Sequence, residues 1–122
     1  MRRQAILVAT ALAVAGPSAA APWTLFREPK PASDLAVDRG RAVFDARCEI
    51  CHGQGNDRAG TISLQFKYKG SKPALLEQRA DLTPQLVRYY VRHGVAMMPF
   101  FRKTELSDSE LDDLAVYLSR SR

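Results

Sequence analysis

Both cysteines of this 122-residue chain stand in the segment Cys48-Glu49-Ile50-Cys51-His52. In a C-x-x-C-H segment, the two thiols are spaced to form thioether bonds with the two vinyl groups on one edge of a haem. The adjacent imidazole is then carried under the ring, where it ligates the iron. The motif therefore predicts one covalent haem c, attached through Cys48 and Cys51, with His52 as an axial ligand.

Other interpretations of the cysteine pair have less support. A structural zinc ion usually takes four protein ligands, whereas the motif supplies three, and the other histidine, His93, is distant in sequence. A thioredoxin-like dithiol needs a strand–helix–strand context, which nothing in the chain resembles. A haem-free secreted domain with a Cys48–Cys51 disulfide is the remaining alternative.

Residues 1–20 have the pattern of a secretory signal peptide. Arg2 and Arg3 form a positive N-terminal region, and residues 5–15 form an apolar run that is too short to span a bilayer. We expect cleavage after Ala20 and a periplasmic protein, because an oxidising compartment allows a cysteine pair to persist. The alternative is an uncleaved membrane anchor; after cleavage we expect no stable membrane insertion.

The remaining chain has the size of one domain. An extended, proline-rich arm is predicted over residues 21–33, followed by a domain over residues 34–122. The whole chain has 18 basic and 13 acidic side chains. Two arginines leave with the signal peptide, so the mature chain has 16 basic and 13 acidic side chains. Two haem propionates would bring this charge near neutral, so the composition gives no reason to expect nucleic-acid binding.

Capping signals predict an all-α fold. A first helix is expected over about residues 35–47, with Ser33 or Asp34 as its N-cap. A later helix should begin at the N-cap Thr83, run to His93 and stop at a left-handed Gly94. The capping box Ser107-Asp108-Ser109-Glu110 begins the last helix.

The segment between the motif and Thr83 carries weaker signals. Residues 53–60 have the composition of a loop. Residues 62–69 alternate partly between apolar and polar side chains, which predicts an extended segment or a loose helical turn along the haem edge. Residues 71–78 should contain a short helix with Leu75 and Leu76 buried.

A second axial ligand is expected from residues 94–101, which include Met97 and Met98. Methionine paired with histidine is the usual ligation in electron-transfer haem proteins, because the neutral thioether favours ferrous iron and closes the sixth position. Met98 is the better choice because Pro99 rigidifies the next position, and Met97 is the fallback. The rival ligand is His93. Its position in the last turn of a helix also has a simpler explanation, because the helix dipole favours a cation there.

This order of elements resembles the class I cytochromes c over about residues 35–118. The resemblance implies the cytochrome c fold, in which the N- and C-terminal helices cross while short helices and loops surround one covalently bound haem. In that family, a glycine and an aromatic residue of the first helix meet an aromatic residue of the last, and Gly40, Phe44 and Tyr117 match these positions. The resemblance also implies that His52 and Met98 are the axial ligands.

The family orients its proximal histidine with a backbone carbonyl in the following loop. That carbonyl is often a proline's, but no proline lies between His52 and Gly70. Ala59 or a neighbour is therefore expected to supply it.

A narrower resemblance is to the cytochrome subunit of p-cresol methylhydroxylase and related 4-alkylphenol flavocytochromes. It rests on short segments at residues 59–61, 67–70, 73–75, 81–84, 91–92 and 98–105, together with Leu64. The resemblance implies a chain without a catalytic site of its own. Such a chain accepts single electrons from the FAD of a flavoprotein subunit and passes them to another periplasmic acceptor.

Two other functions stay open at this point. One is a free-standing, diffusible carrier that serves another dehydrogenase or an oxidase. The other is a haem protein with catalytic or ligand-sensing activity, which the methionine loop disfavours because a closed sixth position excludes ligands.

Near the haem we expect one of Phe100 and Phe101 to pack and the other to be exposed as an interface anchor. The basic residues expected there are Arg58, Lys67, Lys69, Lys72, Arg102 and Lys103.

Overall fold

The computed structural model describes residues 32–120. This part of the chain is helical, with no strand beyond an isolated bridge between Val95 and Met98. The helices are α1 (Ala32–Arg47), α2 (Glu49–His52), α3 (Ala59–Tyr68), α4 (Pro84–His93) and α5 (Asp108–Ser119), with a 3₁₀ turn (Leu76–Gln78) between α3 and α4. The all-α prediction is confirmed. The predicted signal peptide and residues 21–31 of the predicted arm lie outside the described residues.

The core forms where α1 crosses α5, as the class I cytochrome pattern predicted. Phe44 of α1 and Tyr117 of α5 are both buried, and their ring centroids lie 5.9 Å apart. Leucines on the inner face of α5 continue this core, and Val87 and Val91 of α4 pack into it. The crossing places the C-terminal end of α1, and with it Cys48 of the motif, against this core.

Local capping decides both ends of α4 and the start of α5, as predicted. The backbone N–H of Leu86 donates to the hydroxyl of the N-cap Thr83 over 3.2 Å. Gly94 ends α4 with φ 69° and ψ 174°, so φ is positive as expected but ψ is extended, a combination that essentially only glycine adopts. The capping box of Ser107 and Glu110 is complete in both directions.

The start of α1 differs from the prediction. The helix begins at Ala32, so Ser33 and Asp34 lie in its first turn instead of capping it, and residues 32–33 do not belong to an extended arm. The carboxylate of Asp34 is favourable in that turn because it faces the positive end of the helix dipole.

The prediction for residues 59–69 was wrong in its main point. Ala59–Tyr68 forms a regular α-helix, α3, where the end of a loop and then an extended segment or a loose helical turn were expected. A lone extended segment would leave its backbone groups without ladder partners, whereas the helix pairs them internally. Lys69 ends α3 in the left-handed region with φ 47°.

The segment after α3 is also less regular than predicted. Within residues 71–78 only the 3₁₀ turn Leu76–Gln78 is helical, and Leu75 and Leu76 are half-buried. The hydroxyl of Tyr117 donates to the carboxylate of Glu77, which ties this turn to α5.

Candidate haem site

The cysteine motif continues directly from α1. The backbone N–H of Cys48 donates to the carbonyl of Phe44 over 2.8 Å, and that of His52 donates to the carbonyl of Cys48 over 2.8 Å. One turn at Cys48 therefore joins α1 to α2, which carries Cys51 and His52. Cys48 is half-buried against the core and Cys51 is exposed, and both thiols are free.

The electrostatics of Cys48 differ from those of a redox-active dithiol. Burial, and secondly the charge of Cys51, raise the pKa of the Cys48 thiol to about 11. Exchange-active cysteines instead have a lowered pKa, because the thiolate is the nucleophile. A zinc site also lacks support, since residues 32–120 contain no group of three or more His, Cys, Asp or Glu side chains that could hold a metal ion.

The His52 imidazole is half-buried and directly follows Cys51 in the chain. Burial lowers its pKa, which favours the neutral ring, the form that ligates metals. Its Nδ1 is buried and has no hydrogen-bond partner among the described residues. The backbone carbonyl expected to orient this ring is therefore not found at Ala59 or at any other described position.

The first turn of α3 packs against this ring through Gly60. A Cβ atom at position 60 would lie 2.8 Å from Cε1 and 2.9 Å from Nδ1 of His52, so only glycine allows this approach. The next residue, Thr61, is buried and donates its hydroxyl to the carbonyl of Gly53 over 2.9 Å. These two residues hold α3 against the loop that follows His52.

Sequence reasoning missed the role of Gly60 and Thr61 because Gly60 was counted as the end of a loop and Thr61 was assigned to no element. A glycine beside small residues was the available signal, but it does not indicate which distant side chain the glycine contacts.

Met97 and Met98 differ in how far their side chains are exposed to solvent. The backbones of Val95 and Met98 exchange two hydrogen bonds, of 3.1 and 2.9 Å, around a turn in which Ala96 has φ 50°. Met97 lies on this turn with 86% of its surface exposed, whereas Met98 is half-buried and packs against the core. The backbone thus holds Met98 in place and directs it inward, which favours Met98 over Met97 as an axial ligand.

His93 has an evident structural role. Its Nδ1 is 2.8 Å from the carbonyl oxygen of Tyr89, one turn earlier in α4, and its ring stacks on that of Tyr89 with centroids 4.4 Å apart. These local contacts disfavour His93 as the rival ligand.

Comparison with known proteins decides the family. Residues 35–118 match the family model for cytochrome c oxidase, cbb3-type, subunit III. The chain is 32% identical to cytochrome c6 of Pyropia tenera over 82 residues, covering 67% of this chain and 88% of the relative. The chain belongs to the cytochrome c family. Cytochrome c6 of Pyropia yezoensis is 33% identical over 87 residues (71% of each chain), and that of Bumilleriopsis filiformis is 30% identical over 82 (67% and 87%). No solved structure matches significantly.

The family implies haem c and single-electron transfer, and the residues present fit that cofactor. Two free thiols stand one helical turn apart beside a histidine whose neutral form is favoured. The absence of a side chain at Gly60 lets the backbone of α3 approach the imidazole, while Met98 would supply a soft donor from a turn closed by two backbone hydrogen bonds. No helix within residues 32–120 of this cytochrome is long and apolar enough to cross a membrane.

The two phenylalanines after the methionine loop differ as predicted. Phe101 packs against the core, its N–H donates to the carbonyl of Val91 over 2.8 Å, and its own carbonyl accepts from Arg92 over 3.0 Å. Phe100 is 60% exposed. Ile50, between the two cysteines, is a further large apolar side chain that is exposed.

Several cations expected near the haem are engaged in ion pairs. Arg102 pairs with Glu105 at 3.0 Å, and Lys103 pairs with Asp108 at 2.8 Å. Lys72 is 2.6 Å from Asp81, which also receives two hydrogen bonds from the buried Arg79. This pairing weakens the positive field of these residues.

The guanidinium of Arg79 also lies 4.7 Å from the ring centroid of Tyr68. The interaction with Arg79 is the main cause of the lowered pKa of the Tyr68 hydroxyl.

Proposed function

We propose that this cytochrome carries single electrons on one haem c that is attached through Cys48 and Cys51, with His52 and Met98 as axial ligands. The observation that carries the proposal is the packing of the half-buried His52 imidazole against the backbone of Gly60, directly after a pair of free thiols in the chain. When bound, the haem supplies reversible one-electron reduction of its iron.

Each side chain of the site has a separate task. Burial lowers the pKa of His52, which favours its neutral form, and the first turn of α3 packs against its ring. Met98 supplies a neutral thioether, which stabilises ferrous iron and leaves no open position for small ligands. Cys48, anchored to α1 by its backbone, fixes the attachment edge relative to the helical core.

We further propose that the electron donor is the FAD subunit of a 4-alkylphenol flavocytochrome of the p-cresol methylhydroxylase type. A reduced flavin holds two electrons, so a one-electron carrier must accept from it twice per turnover. The support is the likeness in short segments along residues 59–105. Phe100, Met97 and Ile50 are large apolar side chains that are exposed, so each is available for contact with a partner.

A free-standing carrier is the second candidate. The aligned residues cover 87% and 88% of two cytochrome c6 relatives, so this domain corresponds to nearly the whole of those proteins. A cytochrome domain of this extent can also serve another dehydrogenase or an oxidase without a permanent partner.

We propose a periplasmic location for either function. It depends on the predicted signal peptide, residues 1–20, and predicts a mature protein that begins at Ala21. Intact mass and N-terminal sequencing of the exported protein test this directly. A retained leader would instead indicate a membrane anchor.

The first experiment is an optical spectrum of the full chain matured in a periplasm that contains haem-attachment machinery. Sharp reduced bands of a low-spin c-type haem, with the weak far-red band of methionine-ligated ferric iron, are expected. A high-spin spectrum would contradict Met98 ligation, and a colourless protein would contradict haem attachment.

A second experiment separates the two partners. The purified cytochrome is mixed with the flavoprotein subunit of a 4-alkylphenol oxidoreductase, and complex formation and haem reduction after substrate addition are measured. Phe100→Ala should weaken the complex. The matched control is Val116→Ala, which changes an exposed apolar residue of α5 and should leave the complex unchanged. Absence of a complex together with reduction by unrelated donors would favour the free-standing carrier.

A further inference from the structure

Arg58 occupies a position that does not favour helix stability. It is the N-cap residue of α3, with φ −95° and ψ 96°, and its side chain makes no capping hydrogen bond. Ser, Thr, Asp and Asn are preferred at this position because their oxygens accept from the first free N–H groups. A guanidinium near the positive end of the helix dipole is instead unfavourable. A residue that breaks a local rule in this way is expected to have a role elsewhere.

The side chain of Arg58 turns back onto the cysteine motif. Its Nη1 donates to the backbone carbonyl of Ile50 over 3.4 Å, and Ile50 lies between the two cysteines. The side chain is 27% exposed, and its Nε is buried without a hydrogen-bond partner among the described residues. The guanidinium is therefore held beside the segment that attaches the haem.

The charge of Arg58 is poorly compensated. Its ion pair with Asp57 spans 3.6 Å, and the Asp57 side chain is 78% exposed, so water screens the carboxylate. Arg79, by contrast, is neutralised by a bidentate pair with Asp81 over 2.8 and 2.7 Å. The charge of Arg58 thus has a weaker counter-charge than that of Arg79.

We propose that Arg58 raises the reduction potential of the haem iron. On reduction the ferric iron accepts one electron from the reduced donor and becomes ferrous, so the charge of the site falls by one. A fixed cation beside the motif stabilises the reduced form relative to the oxidised form. Partial burial limits screening by salt, which makes this charge more effective than an exposed one. The inference rests on the proposed haem site and names a residue that tunes it.

The test compares three variants of the haem-loaded full chain: Arg58→Gln removes the charge, Arg58→Lys keeps it, and Arg41→Gln removes an exposed cation of α1. Midpoint potentials are measured by spectroelectrochemical titration at low and high ionic strength. Arg58→Gln should shift the ratio of oxidised to reduced protein at least threefold towards the oxidised form, which is about 28 mV at 59 mV per tenfold change for one electron.

The controls give the result its meaning. Arg58→Lys should retain most of the wild-type potential. Arg41→Gln should shift it less, and high salt should abolish that smaller shift while most of the Arg58→Gln shift persists. Equal shifts in Arg58→Gln and Arg41→Gln would overturn the proposal. Equal shifts in Arg58→Gln and Arg58→Lys would also overturn it, because they would show that the contact with Ile50 matters rather than the charge.

The outcome also distinguishes this inference from the proposed function. A wild-type protein without a c-type spectrum would remove the haem site and the inference with it. A normal spectrum with an unshifted potential in Arg58→Gln would remove the inference alone. The far-red band of each variant is recorded first, because its retention shows that the axial ligands are unchanged. Removing a cation from the N-cap is not expected to unfold α3.

Discussion

Gly40 of α1 lies directly against Tyr117 of α5. A Cβ atom at position 40 would fall 2.7 Å from Cβ of Tyr117 and 2.0 Å from the backbone carbonyl oxygen of Asp113. The absence of a side chain at Gly40 is therefore what allows the two helices to approach closely. Because α1 continues into Cys48, the same contact sets the position of the candidate haem site relative to the core.

The crossing gives a first prediction. Gly40→Ala should lower the free energy of unfolding of the haem-loaded protein by about 1–3 kcal/mol, since the added methyl group meets backbone atoms that cannot move separately from α5. Urea titration measures the change. Ala42→Ser, at an exposed position of the same helix, should stay within about 0.5 kcal/mol of wild type. Equal stability of Gly40→Ala and wild type would show that the crossing is looser than described.

The methionine loop gives a second prediction. Met98→Ala should leave the haem attached but remove the far-red band and lower the reduction potential. The expected change in the redox equilibrium is tenfold or more, or about 59 mV, because a thioether ligand favours ferrous iron. Met97→Ala, at the exposed neighbouring position, should behave like wild type. The reverse pattern would transfer the ligand role to Met97.

The packing of α3 on the proximal histidine gives a third prediction. Gly60→Ala places a methyl group within 3 Å of the His52 ring and of the Cys51 carbonyl, so the imidazole must move. We expect a mixed or high-spin spectrum and weaker haem incorporation. Stability should change less, because alanine is about 1 kcal/mol better than glycine within a helix.

The control for this third prediction is Ser63→Ala. Ser63 is an exposed residue of the same helix whose hydroxyl bonds only within α3, to the carbonyl of Ala59. Its spectrum should remain that of wild type. An unaltered spectrum in Gly60→Ala would mean that α3 does not hold His52.

A fourth prediction concerns acid. Hydrogen bonds from Arg79 and then Lys72 hold the pKa of Asp81 well below its usual range. The native state thus favours the ionised carboxylate, and this contribution to stability is present above the unfolded pKa of about 3.9 and is lost as the pH falls below it. Asp81 is 39% exposed, so water screening reduces the contribution.

The variant Asp81→Asn tests this. At pH 7 it should lower the free energy of unfolding by about 1–3 kcal/mol, because the buried Arg79 loses its charged partner. The loss should become smaller as the pH is lowered through about 4. Asp45→Asn, which removes an exposed carboxylate 3.8 Å from Arg41, is the matched control and should have little effect at either pH. A loss that is constant with pH would contradict the assignment.

Helix ends were predicted well where local chemistry decides them. The hydroxyl cap at Thr83, the glycine stop at Gly94 and the capping box at Ser107 all involve groups within a few residues of one another. The sequence therefore contains the whole interaction. For α1, however, no comparably strong cap was available, and the helix began three residues earlier than predicted.

The failure at α3 has a different cause. Its first turn lacks a side-chain cap, and its apolar residues partly alternate with polar ones as in a strand. What fixes the helix against the motif is tertiary: Thr61 donates to the carbonyl of Gly53, and Gly60 meets the ring of His52. Pattern reasoning along the chain cannot register such contacts.

By itself, the sequence determined the chemistry of the candidate site, because C-x-x-C-H places two thiols and an imidazole together within five residues. It also determined the ends of α4 and the start of α5, through local caps. Only the tertiary structure decided which atoms surround that site. Met98 turns inward while Met97 turns outward, Gly60 packs on the proximal ring, and Arg58 folds back onto Ile50. These relationships depend on how separate segments pack, and packing is a property of the folded chain as a whole.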